Sequence, residues 1–167
     1  MTAAGRAQAT VSVTVAVEPA VAFEVFTAEI DQWWRRGPKW RHAGSERGIL
    51  RVEPGVGGRV FESFGPEQKA TVVEIGRVTA WEPPRRLAFD WRNATFAKGE
   101  WTRVEVTFEG MDDKTLVTVR HSGWDTLRPD HPARHGLADV PFARELGLFW
   151  GDLMTSLREH CIAKGEG

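Results

Sequence analysis

The chain has 167 residues, a formal net charge of -1, and 41% hydrophobic against 27% charged residues. That is the make-up of one globular domain with a sizeable core, not of a disordered, collagen-like or coiled-coil chain. The near-neutral balance argues against nucleic acid or a membrane surface as partner, since both call for a basic excess. Of the 22 basic residues 17 are Arg, scattered singly as on a solvated surface.

A single cysteine, Cys161, leaves no internal disulfide framework and no multi-cysteine zinc site. The first residues carry no apolar signal region, and no apolar run approaches the roughly 20 residues of a membrane span. The expectation is a cytoplasmic protein without membrane insertion. Its oddest feature is the aromatic balance: 8 Trp and 9 Phe, but no Tyr.

In chain order, residues 1–8 read as a flexible tail and residues 9–165 as one domain. Val11, Val13, Val15 and Val17 alternate with Ser, Thr and Ala, the pattern of a half-buried strand. Glu18-Pro19 opens a short helix with Val21, Phe23, Val25 and Phe26. A second is expected over 28–35, stopped by Gly37-Pro38. The middle is strand-rich: 49–53, then 59–64 after Gly57-Gly58, and a long strand over 69–82. After Pro83-Pro84 come strands at 85–92, 101–109 and 115–122, with a hairpin turn at Gly110-Met111-Asp112-Asp113. Residues 125–140 read as a loop. From about Pro141 to Lys164 apolar residues recur at helical spacing, from Phe142 to Cys161. The fold class is α+β: a curved antiparallel sheet of about six to seven strands wrapped around a long C-terminal helix. Space between such a sheet and its helix suits a ligand.

Several segments carry a resemblance. They are Pro19 to Phe26, Ile30-Asp31-Gln32-Trp33-Trp34 before Gly37-Pro38, and Val56-Gly57-Gly58-Arg59-Val60. To these add Gly76 to Trp91 with its proline break, Thr115 to Trp124, and Trp150, which Phe149 precedes where a glycine is usual. In this order they resemble the SRPBCC superfamily, the helix-grip fold shared with START and pollen-allergen-like proteins. Within it they are most similar to the bacterial branch related to the C-terminal domain of the activator of heat shock protein 90 ATPase. The resemblance implies the helix-grip fold, and either a hydrophobic ligand or lipid, a chaperone contact, or an enzyme on hydrophobic substrates. A homodimer is a further possibility, and fold alone does not choose among these.

Strand phase locates the polar candidates. If Val117 and Val119 face the helix, so does His121; if Val60 and Phe64 face it, so does Glu62. An inward His and Glu can orient a polar head group or, in a cyclase or hydrolase, serve as acid and base. The plainer alternative gives His121 a backbone partner and Glu62 an Arg. His131 and His135 have i, i+4 spacing, but Pro132 follows His131 and a solvated loop is expected, with no metal. Cys161 on an apolar helix face reads as a small hydrophobe, and no cofactor motif is present. The expected binding residues are Trp34, Glu62, Phe64, Phe89, Trp91, His121, Trp124, Phe149 and Trp150, around an amphipathic molecule in a chiefly apolar pocket. Trp40 and Trp101 are left open, as core or surface.

Overall fold

The computed structural model describes residues 7–44 and 47–165. Most of the expected tail therefore lies outside the described residues. Seven strands form one antiparallel sheet in the order β1-β7-β6-β5-β4-β3-β2. They are β1 (Ala9–Val15), β2 (Gly48–Val52), β3 (Arg59–Phe64), β4 (Thr71–Glu82), β5 (Arg86–Trp91), β6 (Thr102–Met111) and β7 (Lys114–Ser122). After β1 come helix α1 (Pro19–Ala28) and the single turn α2 (Ile30–Trp33); α3 (Asp139–Gly165) closes the chain. The fold is the expected α+β arrangement, with a sheet curled around α3.

The chain elements follow from local chemistry. Pro19 starts α1, where its missing N–H is no loss. The expected second helix shrinks to four residues, because the Trp34 backbone turns extended directly after Trp33. In α3 the residues Phe142, Leu146, Trp150, Leu153, Met154, Leu157 and Cys161 are buried on one face. At 27 residues the helix is about 40 Å long, enough to run under the sheet. Inside β4 the register shifts, and Gly76 sits against β5 so closely that a Cβ there would lie 1.8 Å from the Asp90 carbonyl oxygen. Only glycine fits at that contact.

Two expectations are corrected. The 125–140 segment is not a plain loop, since it holds short 3-10 turns at Trp124–Thr126 and Pro132–Arg134. Nor is every Arg on a solvated surface: Arg41 and Arg134 are 5% and 3% exposed. Arg41 donates to the carbonyls of Arg35, Asp31 and Trp34 and pairs with the Asp31 carboxylate. Burial works to raise the Asp31 pKa, but the Leu50 amide and Arg41 overcome it and hold the carboxyl below its ordinary value. One buried Arg thus stitches the segment after α2 to β2.

Buried Thr115 donates its hydroxyl to the Val17 carbonyl at 2.8 Å, fixing the exit of β1 against β7. Thr115→Val leaves that carbonyl without its partner and is expected to cost about 1 kcal/mol in urea unfolding. Wild-type stability in that variant would show that the bond contributes nothing.

Candidate functional site

Between the sheet and the first half of α3 lies a cleft of about 510 Å³ that opens to solvent. Its floor is Ile75 of β4, Trp91 of β5 and His121 of β7, and its far wall is Phe142, Glu145, Leu146 and Phe149 of α3. Three loops close the sides: Pro38 to Gly44, Asn93 to Thr95, and the segment carrying Trp124, Ala133 and His135. Five aromatic residues, Trp40, Trp91, Trp124, Phe142 and Phe149, contribute to the lining. Trp40 lies 4.8 Å from Phe149, and Trp124 lies 4.7 Å from Phe142.

His121 is 1% exposed and both its ring nitrogens are engaged. The Trp150 indole donates to Nδ1 at 3.1 Å, so that nitrogen is the acceptor. The proton of the neutral ring therefore sits on Nε2, which bonds the Thr102 hydroxyl at 2.8 Å. Thr102 in turn donates to the Trp91 carbonyl. Burial pushes the His121 pKa down to about 3, so the imidazole is neutral at ordinary pH.

Glu62 is fully buried, and its two carboxylate oxygens accept the backbone N–H groups of His42 and Ala43, each at 2.8 Å. The His42 Nδ1 lies 3.5 Å from the same carboxylate. Gly48 makes room for this approach, since a Cβ there would sit 3.0 Å from the Ala43 side chain and 3.3 Å from Glu62. Glu62 is thus a clamp on the loop that carries Trp40 and His42, rather than the partner of an Arg. Three strands separate it from His121 in the sheet order, and the hydrogen-bond partners of the two do not overlap: His121 bonds Trp150 and Thr102, Glu62 the His42 and Ala43 amides.

The remaining expected site residues divide cleanly. Trp91, His121, Trp124 and Phe149 line the cleft. Trp34 and Trp150 sit behind them: Trp34 stacks on Trp91 at 6.2 Å, packs on Trp150 at 5.6 Å, and donates its N–H to the Trp40 carbonyl. Phe89 is buried in the core, and Phe64 is half-buried opposite Gly48 and Thr71; neither lines the cleft. Sequence reasoning missed Trp40, His42, Ala133 and His135 as lining residues, and left Phe142 as a core contact. Trp101, half exposed, lines instead a smaller outer groove of about 360 Å³ with Val56 and Trp81.

His131 is a correction, because it is buried rather than solvated. Its Nδ1 accepts the Ala133 N–H and its Nε2 bonds Glu100 at 2.9 Å. The Ala97 amide and His131 together hold the Glu100 carboxyl below its ordinary value. Phe96 packs on both His131 and Trp124 at 4.9 and 5.7 Å. Two of the three loops at the cleft mouth are thereby locked to each other. The dipeptide His131-Pro132 was the available signal, since Pro favours a first helical position and the residue before it caps.

Among the described residues no group of three or more His, Cys, Asp or Glu is placed to hold a metal. Burial pushes the Cys161 thiol up to about 11, which makes it a poor nucleophile. No described helix is long and apolar enough to cross a membrane.

Comparison with known proteins then places the chain. Among solved structures it is similar to a protein from Nitrosomonas europaea, at 14% identity over 94% of this chain and 95% of that one, with TM-score 0.62. It is similar to the Aha1 dimer from Colwellia psychrerythraea, at 14% identity, 91% and 93% coverage, and TM-score 0.57. It is also similar to an HSP90 activator from Plasmodium falciparum, at 17% identity, 84% and 86% coverage, and TM-score 0.54. At these identities the likeness concerns the fold. No curated protein matches the chain. Residues 16–140 match the sequence model of the family described as activator of Hsp90 ATPase homolog 1-like protein, and the chain belongs to that family, within the SRPBCC superfamily.

Proposed function

We propose that the protein binds a small hydrophobic or amphipathic molecule in the cleft between the sheet and α3. One observation carries the reading: an open cleft of about 510 Å³ that brings together Trp40, Trp91, Trp124, Phe142 and Phe149 over a neutral, fully bonded histidine. Such a lining offers apolar burial and shape, with Lys39, Arg41 and Glu145 as charged groups for a polar end, which suits an amphipathic molecule. Trp91, Trp124 and Phe149 supply contact area, backed by Trp34 and Trp150. His121 is a positioning group, for its nitrogens are already spent on Trp150 and Thr102. Binding rather than turnover is the activity proposed.

Native mass spectrometry of protein purified from cells, with displacement of an environment-sensitive fluorescent dye, tests this. A saturable dye site that apolar compounds empty is expected. Trp40 stands half-buried at the mouth with the Lys39 ammonium 4.7 Å above its ring, so it can be truncated without opening the core. Trp40→Ala is expected to weaken dye binding about tenfold while leaving the melting temperature within a few degrees. A dye that binds Trp40→Ala as tightly as wild type is not in this cleft.

Family membership favours a second reading, contact with a chaperone of the Hsp90 class, which would take place in the cytoplasm. The dimer of the Colwellia protein makes a homodimer part of this reading. Stimulation of the chaperone's ATPase by the purified protein supports it, and absence of stimulation removes it.

A further inference from the structure

His42 lies two residues past Trp40 in the loop at the cleft mouth, and its side chain is part of the lining. Its Nδ1 is buried and lies 3.5 Å from Oε2 of Glu62, the oxygen that also accepts the His42 backbone N–H. Glu62 uses both carboxylate oxygens as acceptors. A bare lone pair on Nδ1 would face an acceptor, whereas an N–H there faces it favourably. At this length the contact is an electrostatic preference rather than a hydrogen bond. It assigns the proton of the neutral ring to Nδ1 and leaves Nε2 as a bare acceptor.

Nε2 bonds nothing among the described residues and, unlike Nδ1, is open to solvent. His121 differs, since both its nitrogens are engaged. Water can serve Nε2 of His42 while the cleft is open. A ligand that covers it must bring a donor of its own or leave an acceptor unpaired. The charged lining groups do not fill this role: Lys39 is held 4.7 Å from the Trp40 ring, Arg41 is bonded to Asp31, and Glu145 is itself an acceptor. Lys39 would draw a carboxylate, but a carboxylate has no proton to give Nε2. A hydroxyl has one, and its oxygen can also accept from an ammonium. Beside His42 the rings of Trp40 and Phe149 lie 4.8 Å apart with planes tilted by 30°, a surface on which a flat body can pack.

Resting on the ligand-binding reading, we propose that the ligand is a hydroxylated aromatic compound, a phenol, whose O–H donates to His42 Nε2. The experiment compares 2-naphthol, 2-methylnaphthalene (a methyl of similar size in place of the hydroxyl) and 2-naphthoate. Affinities come from calorimetry and dye displacement, in wild type, His42→Phe and His42→Gln. Both substitutions keep the backbone N–H that Glu62 holds. The affinity of naphthol relative to methylnaphthalene is expected to fall about five- to tenfold in His42→Phe, which keeps a ring without an acceptor. His42→Gln supplies an acceptor oxygen and is expected to retain part of the ratio. In the nitrogen-15 spectrum of wild type, His42 is expected to carry its proton on Nδ1, and Nε2 to move upfield on adding naphthol but not methylnaphthalene. Should neither variant fold, the spectrum decides alone.

An unchanged ratio in His42→Phe overturns the proposal, and so does a neutral His42 protonated on Nε2. Tightest binding of naphthoate overturns it as well, since Lys39 rather than His42 would then choose the polar end. In each of these cases binding of methylnaphthalene leaves the ligand-binding reading standing. Failure of all three probes to bind removes both readings together.

Discussion

Lowering the pH from 6.5 to 4.5 destabilises the fold, and replacing His121 with Gln removes most of that loss. The folded-state pKa of His121 is depressed to about 3 from 6.5. The unfolded chain therefore takes up a proton below 6.5, while the folded protein does not until about 3. In that window the unfolded state binds more protons, so stability drains away as pH falls, by roughly 1 kcal/mol per pH unit from this one group. The stability is fully present above 6.5. Glu29, Asp31, Glu53 and Glu100 are held below their ordinary values and act in the same direction, but chiefly below 4.5. Urea unfolding of wild type and His121→Gln across this range separates the two contributions. The variant starts less stable, having lost part of the Trp150–His121–Thr102 chain, and its profile is expected to be flatter by about 2 kcal/mol in total. Parallel profiles would mean that His121 is not held neutral by its burial.

Glu62→Ala is expected to lower stability by about 3–5 kcal/mol. The buried Ala43 amide and the partly buried His42 amide lose their acceptors at once, and each such loss costs about 1.5–3 kcal/mol. The void left by the side chain adds to this. Because the clamp holds the loop bearing Trp40 and His42, apolar-probe affinity should fall with stability. Glu62→Gln keeps one acceptor and belongs between the two. A loss under about 1 kcal/mol in Glu62→Ala would show that the loop does not depend on the carboxylate.

Much of this was legible before the structure. Alternation along β7 turned His121 inward with Val117 and Val119, and alternation along β3 did the same for Glu62; both are buried. The helical spacing from Phe142 to Cys161 marked the buried face of α3. What alternation cannot supply is a partner. The Trp150 indole reaches His121 across 29 residues of sequence, through the placement of α3 against the sheet, which no local pattern encodes. Glu62 is tied to amides in a loop 19 and 20 residues earlier, a contact that depends on the missing side chain at Gly48. The cleft mouth was the least readable part. Trp40, His42 and His135 lie in aperiodic loops, held by Arg41, by the His131–Glu100 bond and by Phe96. Arg41 is buried because it has carbonyls to satisfy, not because of its neighbours in sequence. The tryptophans that made the composition odd are divided by the fold among core, cleft and outer groove, and this makes them useful reporters.

The eight indole N–H groups can be read in one spectrum, and they test the central claim most directly. In a titration of nitrogen-15-labelled protein with 2-naphthol, saturable shifts are expected at Trp40, Trp91 and Trp124, which line the cleft, with smaller ones at Trp34 and Trp150 behind it. Trp81 and Trp101, in the outer groove, should stay in place. Shifts confined to Trp81 and Trp101, or no saturable shift at any of the eight, would contradict a ligand site between the sheet and α3.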